Sequence, residues 1–230
     1  ALDSAIPDAD GAEFNMVDII SGVVDDSSLL ELQPVFARNA LTAVARINGN
    51  AVGIVANQPT QNDAWLDTDS AEKIARFIRF CNTFNLPLVT FVDAPGFISD
   101  ATSLGAARRT AKLLSASADA SVGKITVIVR RAFGSAYLAM GAKRMGTDLV
   151  FAWPTAQIST DDAEALSEVT GEDAQKMEQK LVNPYAAAER GLVDAVISPS
   201  ATRQQLIDGL RLLERKVEDG YHRKHNNMPL

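Results

Sequence analysis

The chain has 230 residues, enough to bury a sizeable core as one domain or at most two small ones. It is 47% hydrophobic and 22% charged with a formal net charge of -7, the composition of an ordinary globular α/β protein and a poor one for a general nucleic-acid binder. The single cysteine, Cys81, leaves no intrachain disulfide and no cysteine metal cluster, and without a signal peptide or an apolar run of membrane length the default compartment is the cytoplasm.

Residues 1–13 are small, acidic and turn-rich and read as a linker or extended arm; Ala1 rather than methionine stands first, which fits a fragment or an excised domain. The remaining residues, 14–230, are expected to form one domain. Residues 14–20 predict a short helix ended by Ser21-Gly22. Asp25-Asp26 offers paired carboxylates, for which capping or flanking the next segment is favoured over a metal or acid-base site. Residues 29–33 alternate like a strand. Residues 41–47 and 51–56 predict two strands of a hairpin turned at Asn48-Gly49-Asn50. Residues 70–85 carry Ile74, Phe77, Ile78, Cys81 and Phe84 at helical intervals, with Ser70 as cap and Lys73 and Arg76 assigned to the wet face.

Residues 86–92 predict a strand. Asp93-Ala-Pro-Gly-Phe97 follows at its carboxyl end, where ligands collect in open α/β sheets. Asp93 is either catalytic or a turn former bonding its own backbone. Residues 104–118 form an Ala-rich helix whose Arg108, Arg109 and Lys112 either hold an anion or are simply solvated.

Residues 124–129 are apolar and β-branched, a buried strand. Arg130-Arg131-Ala132-Phe133 leads into Gly134-Ser135-Ala136, and helical composition resumes at Tyr137. A strand, a small-residue turn and a helix leave the first helical N–H groups outward, at the positive end of the helix dipole, where they suit a developing oxyanion. The same residues also suit a plain connection packed closely. Beyond it come a short strand over 150–153 stopped by Pro154, a polar acidic segment with helical patterning from Ala163, and a helix with Pro184 at its first position and Gly191 at its end. A strand over 192–197, an amphipathic helix over 200–217 and a basic, then apolar tail complete the chain. The β-α alternation after residue 41 predicts a single α/β domain with a mostly parallel sheet and a leading hairpin.

The familiar catalytic signatures are missing. His222 and His225 lie in the tail. There is no Cys/His metal pattern, no G-x-G-x-x-G, no Walker loop and no Gly-x-Ser-x-Gly elbow. Catalysis by this chain would rest on positioning and backbone electrostatics, with a cofactor or substrate carrying the proton chemistry.

Seven stretches in order resemble the C-terminal half of the carboxyltransferase β subunit of biotin-dependent acyl-CoA carboxylases of the propionyl-CoA carboxylase type. They are Gly53-Ile-Val-Ala-Asn-Gln-Pro59, Ala75-Arg-Phe-Ile-Arg79, Val92-Asp-Ala-Pro-Gly-Phe97, Arg131-Ala-Phe-Gly-Ser-Ala-Tyr137, Ala152-Trp-Pro-Thr-Ala156, Asn183-Pro-Tyr-Ala-Ala-Ala-Glu-Arg-Gly191 and the tail from Arg223 to Met228-Pro-Leu230. The resemblance implies a crotonase-like α/β fold, a β-β-α superhelix. It implies a carboxyltransferase that moves a carboxyl group from carboxybiotin, borne on a carrier protein, to the α-carbon of an acyl-CoA such as propionyl- or acetyl-CoA. It further implies a biotin carboxylase, a biotin carboxyl carrier and an N-terminal-type carboxyltransferase domain as partners, a homo- or hetero-oligomer, and no nucleic acid, membrane or metal.

Carried over residue by residue, the backbone N–H groups of Ser135 and Ala136 would hold the biotin ureido oxygen, with Gly134 supporting the turn. Leu138 and Tyr137 fall beside the acyl pocket, and Asp93, Pro95, Gly96 and Phe97 match a loop near the biotin entrance. Two departures stand out. Ser135 replaces a second glycine, and both the loop after Phe97 and the segment after Ala156 are shortened. They keep in play a degenerate domain retained for assembly of a carboxylase; a biotin-dependent decarboxylase or transcarboxylase is a further reading because the sequence does not separate the direction of transfer.

Overall fold

In a computed structural model that describes residues 2–4, 14–98, 106–160, 167, 168, 171, 173, 176 and 181–218, Asn48 and Gly49 both take left-handed backbone, φ 51° and 81°. That pair of angles closes a two-residue hairpin whose twist matches the flanking strands. Three strands, β1 (Leu30–Leu32), β2 (Ala40–Ile47) and β3 (Asn50–Asn57), run antiparallel around it. Asp25 fastens the turn. Its carboxylate accepts the N–H groups of Asn48 at 2.9 Å and Gly49 at 2.7 Å, and Arg203 at 2.6 Å.

From β3 onward the sheet is parallel, as the alternation predicts. β4 (Leu88–Ala94), β5 (Lys124–Phe133), β6 (Leu149–Ala152) and β8 (Ala195–Val196) follow in spatial order. A short strand absent from the sequence reading, β7 (Gln157–Ser159), pairs with Arg131, Ala132 and Phe133 at the far end of β5. At three residues it is too short to show a period. β5 itself runs ten residues, because Arg130 and Arg131 continue the strand instead of ending it.

Alternate residues of the central strands face opposite layers. Val55, Leu88, Val92 and Ile128 pack against α2 (Thr68–Thr83), α3 (Ala106–Asp119) and α4 (Gly134–Ala139). Ile54, Val89, Phe91, Ile125, Val127 and Val129 pack on the other face with α1 (Met16–Ser21) and α6 (Thr202–Leu213). A further short helix, α5 (Pro184–Glu189), has Pro184 at its start and closes at Gly191 in left-handed backbone, φ 68°. Gly53 is required where Cys81 crosses β3, since a Cβ there would collide with the sulfur. Burial pushes the Cys81 thiol up to about 12, so it stays a packed, protonated group.

Three expectations on α2 change. The N-cap is Asp67, and Ser70 sits at N3 of a capping box: Ser70 N–H donates to Asp67 at 2.7 Å, and Asp67 N–H to Ser70 Oγ at 2.8 Å. Lys73 is not on the wet face; it is 2% exposed. Its position is on the stripe of Phe77 and Cys81, four and eight residues on, so its helical phase outweighs its polarity. Its Nζ donates to the carbonyls of Ala40 at 2.7 Å, Phe36 at 2.8 Å and Gln33 at 3.0 Å. Phe84, expected in the apolar stripe, caps the helix end and is largely exposed. Most of the acidic segment after Thr160, the tail from Tyr221 and the arm at 5–13 lie outside the described residues.

Candidate active site

The carboxyl ends of β3, β4 and β5 bring together three of the stretches singled out in the sequence. Asn57, the last residue of β3, is fully buried. It accepts the Asp93 N–H at 3.4 Å and donates to the Ala64 carbonyl at 3.3 Å. Gln58 accepts the Met16 N–H at 3.1 Å and donates to Asn15 at 2.8 Å, tying the start of α1 to the end of β3. Asn57 and Gln58 read in the sequence as the end of a strand within the Gly53–Pro59 stretch, without a site role. The signal available was an Asn-Gln-Pro run directly after an apolar strand, a place where polar side chains must satisfy the chain's exit from the sheet.

Asp93, the penultimate residue of β4, is a buried counter-ion, 0% exposed. Oδ1 accepts the Arg131 N–H at 3.0 Å, Arg131 Nε at 2.9 Å and Arg130 Nε at 3.2 Å; Oδ2 accepts Arg130 Nη2 at 2.7 Å and Arg131 Nη2 at 3.0 Å. Burial raises its pKa, but the hydrogen bonds and charges of the two arginines outweigh burial and hold it below the usual carboxylate range. A turn former bonding its own backbone is therefore not what stands there; the carboxylate is held by the two arginines. Arg130 also lies over the Phe14 ring at 4.8 Å. Arg131 continues to Asp63, in a turn where Asn62, Asp63 and Ala64 all have positive φ.

The next loop is pinned as well. Leu66 N–H donates to the Gly96 carbonyl at 3.0 Å and Ile98 N–H to the Leu66 carbonyl at 2.7 Å. A Cβ on Gly96 would lie 2.5 Å from Trp65, so glycine is what lets the indole close over this loop. Pro95, Gly96 and Phe97 are half-buried, and Phe97 packs on the helical core.

The turn that opens α4 behaves as its small residues suggest. Gly134 has φ +52°, and a Cβ there would come within 3.0 Å of the Thr160 carbonyl. Phe133 is the N-cap and makes no side-chain cap bond, so the start of α4 is not closed by its own cap. Ser135 and Leu138 lie outward, three residues apart on one helical face, while Ala136 and Tyr137 turn into the core. Burial raises the Tyr137 phenol, leaving a protonated core ring that does not share the face of Ser135 and Leu138. The sequence thus placed the turn correctly, while its two inward side chains serve packing. Arg109 and Lys112 of α3 pair with Asp69 at 3.1 Å and Glu72 at 2.6 Å on α2, so these two cations tie α3 to α2 and are not simply solvated.

The sequence matches the carboxyl transferase domain family over residues 1–228. The chain belongs to the carboxyl transferase domain family. Within it, the chain is 42% identical over 246 residues to the methylmalonyl-CoA decarboxylase α subunit of Propionigenium modestum, covering all of this chain and 48% of that protein. It is 46% identical over 250 residues to the biotin-dependent acetyl-/propionyl-coenzyme A carboxylase β5 subunit of Mycobacterium tuberculosis, covering all of this chain and 45% of that one. The structure of transcarboxylase 12S with methylmalonyl-coenzyme A and methylmalonic acid bound superposes with a TM-score of 0.96 at 38% identity, covering all of this chain and 47% of that one. The expected crotonase-like α/β fold is therefore the fold of this carboxyl transferase domain. The chain spans about half the length of the curated relatives it matches. Among the described residues no helix is long and apolar enough to cross a membrane.

Proposed function

We propose that this chain is the biotin-side half of a carboxyltransferase that moves a carboxyl group between carboxybiotin and the α-carbon of an acyl-CoA such as propionyl- or acetyl-CoA. The observation that carries the reading is the turn at the end of β5. Gly134 takes the left-handed angle, and a short helix starts there without a side-chain cap, with only the small Ser135 outward beside it. Backbone amides of Ser135 and Ala136 in that position fit a ureido oxygen that gains negative charge in the reaction. When bound, carboxybiotin supplies the transferable carboxyl group and the proton-accepting chemistry that Gly134, Ser135 and Ala136 lack. The chain's part would be to bind and orient: Pro95, Gly96 and Phe97 leave β4 just after Ala94, which pairs with Ala132 of β5, and would flank the turn, and the outward Leu138 would offer an apolar contact to an acyl chain.

On this reading biotin arrives on a carboxyl carrier protein charged by a biotin carboxylase. An N-terminal-type carboxyltransferase domain grips the acyl-CoA, in a homo- or hetero-oligomer. Decarboxylation and carboxylation would use the same amides, since both pass through the same charge on the ureido oxygen. The test mixes the chain with a biotin carboxylase, a biotinylated carrier, acetyl- or propionyl-CoA and labelled bicarbonate, with and without an N-terminal-type domain. Labelled malonyl- or methylmalonyl-CoA formed with that domain supports the reading. A stable complex that gives no product with either thioester refutes it in favour of an assembly role.

A further inference from the structure

The pairing of β4 with β5 breaks at one place. Val92 pairs with Ile128, but Ala94 pairs with Ala132, so the single residue Asp93 faces the three residues 129–131. An irregularity of this kind leaves ladder groups without partners and re-aims the strand beyond it. Here the Asp93 carboxylate accepts the Arg131 N–H at 3.0 Å and holds both guanidinium groups. Arg131, the last residue of the break, and the two beyond it, Ala132 and Phe133, then pair with β7 and lead into Gly134. Arg131 extends the tie to the left-handed turn at Asp63, with Nη1 on Oδ2 at 2.7 Å and Nη2 on Oδ1 at 2.8 Å.

We propose that Asp93 and Arg131 are positioning residues for the Gly134–Ala136 amides: the carboxylate seated in the β4–β5 break fixes the direction in which the last residues of β5 present the turn. This deepens the carboxyl-transfer reading and rests on it for its catalytic consequence, but the structural claim can be measured by itself. The hydrogen bonds of the two side chains run to each other, to Arg130 and to Asp63. A buried carboxylate gripping two arginines could serve stability alone, so the readout must separate direction from stability.

The experiment compares the wild-type chain with Asp93→Asn, Asp93→Ala and, as a control, Asp25→Asn, which weakens the distant hairpin fastening. Amide hydrogen exchange is followed at residues 131–133, where Arg131 N–H is held by Asp93 and the strand pairs with β7. In D93A these amides are expected to exchange about tenfold faster or more. D93N, whose remaining oxygen can still accept the Arg131 N–H, should fall between D93A and wild type, and D25N should leave these amides unchanged. In the reconstituted carboxyl-transfer assay D93N should lower kcat about tenfold with KM within about twofold, the pattern of a lost transition-state contact. Unchanged exchange at 131–133 in D93N overturns the proposal, whether or not D93A folds. A kcat loss matched equally by D25N also overturns it. An inactive wild type would overturn the carboxyl-transfer reading instead, and the exchange data would still decide the clamp.

Discussion

Arg131 grips Asp63 through three hydrogen bonds, Nη1 to Oδ2 at 2.7 Å, Nη2 to Oδ1 at 2.8 Å and Nη2 to the carbonyl at 3.0 Å, although 68 residues separate them. The same guanidinium serves Asp93 on its inner side. Its pKa is raised because the hydrogen bonds to Asp93 and Asp63 outweigh the cost of burial. Replacing Arg131 with Gln leaves the buried Asp93 carboxylate with fewer donors and frees a turn of three left-handed residues. The expected loss is about 3 kcal/mol, the range for breaking one side of a buried pair, read as a lower urea midpoint at unchanged slope.

The same network sets a pH dependence. The folded pKa of Asp93 lies below its unfolded value, so its contribution is fully present above about pH 4 and is lost as pH falls through the folded pKa. Urea midpoints should therefore hold steady from neutral pH down to about pH 5 as far as this group is concerned, then fall in more acid solution. D93N should be less stable at neutral pH and lose less on acidification. An equal acid loss in both proteins would assign it to other carboxylates.

Lys73 is a second buried charge, held by backbone alone. Burial lowers its pKa and Glu31 partly restores it. Its carbonyl partners at Gln33, Phe36 and Ala40 shape the loop that leaves β1, whose Val35 is 77% exposed. Lys73→Met removes the donor while keeping the length of the side chain. It should cost about 3 kcal/mol and make the bond after Phe36 or Arg38 the first cut by chymotrypsin or trypsin in limited digestion.

Much of the scaffold was legible in the sequence because it rests on short-range rules. Asn48-Gly49 gave the hairpin, Pro184 and Gly191 bracketed α5, and the apolar runs at 86–92 and 124–129 gave the central strands. Gly134 was legible as a turn, since a small residue between a strand and a helix has few other uses. The clamp beneath it was not. Asp93 and the Arg130-Arg131 pair lie 37 and 38 residues apart and meet only once β4 and β5 pair in parallel. Lys73 reads as exposed by its polarity, whereas its helical phase buries it. Ser70 reads as the cap because it stands just ahead of the apolar stripe, but it is the second member of a capping box that Asp67 opens.

Gly134→Ala tests whether the left-handed angle is needed. An L residue at φ +52° costs about 1–2 kcal/mol, and the new Cβ would press on the Thr160 carbonyl at 3.0 Å. The variant should unfold at lower urea, and the strain should displace the Ser135 and Ala136 amides. Carboxyl transfer should then fall by more than the stability loss explains, measured as kcat at a temperature where the variant is fully folded.

The most direct test of the central claim, that main-chain amides and not a side chain do the work at this turn, is the kcat of Ser135→Ala in the reconstituted carboxyl-transfer assay. The outward hydroxyl is removed while the backbone N–H groups stay in place. The account predicts a rate within about threefold of wild type, since no oxyanion donor is lost. A fall of about a hundredfold or more, the usual cost of deleting a catalytic donor, would contradict it and assign the chemistry to the serine itself.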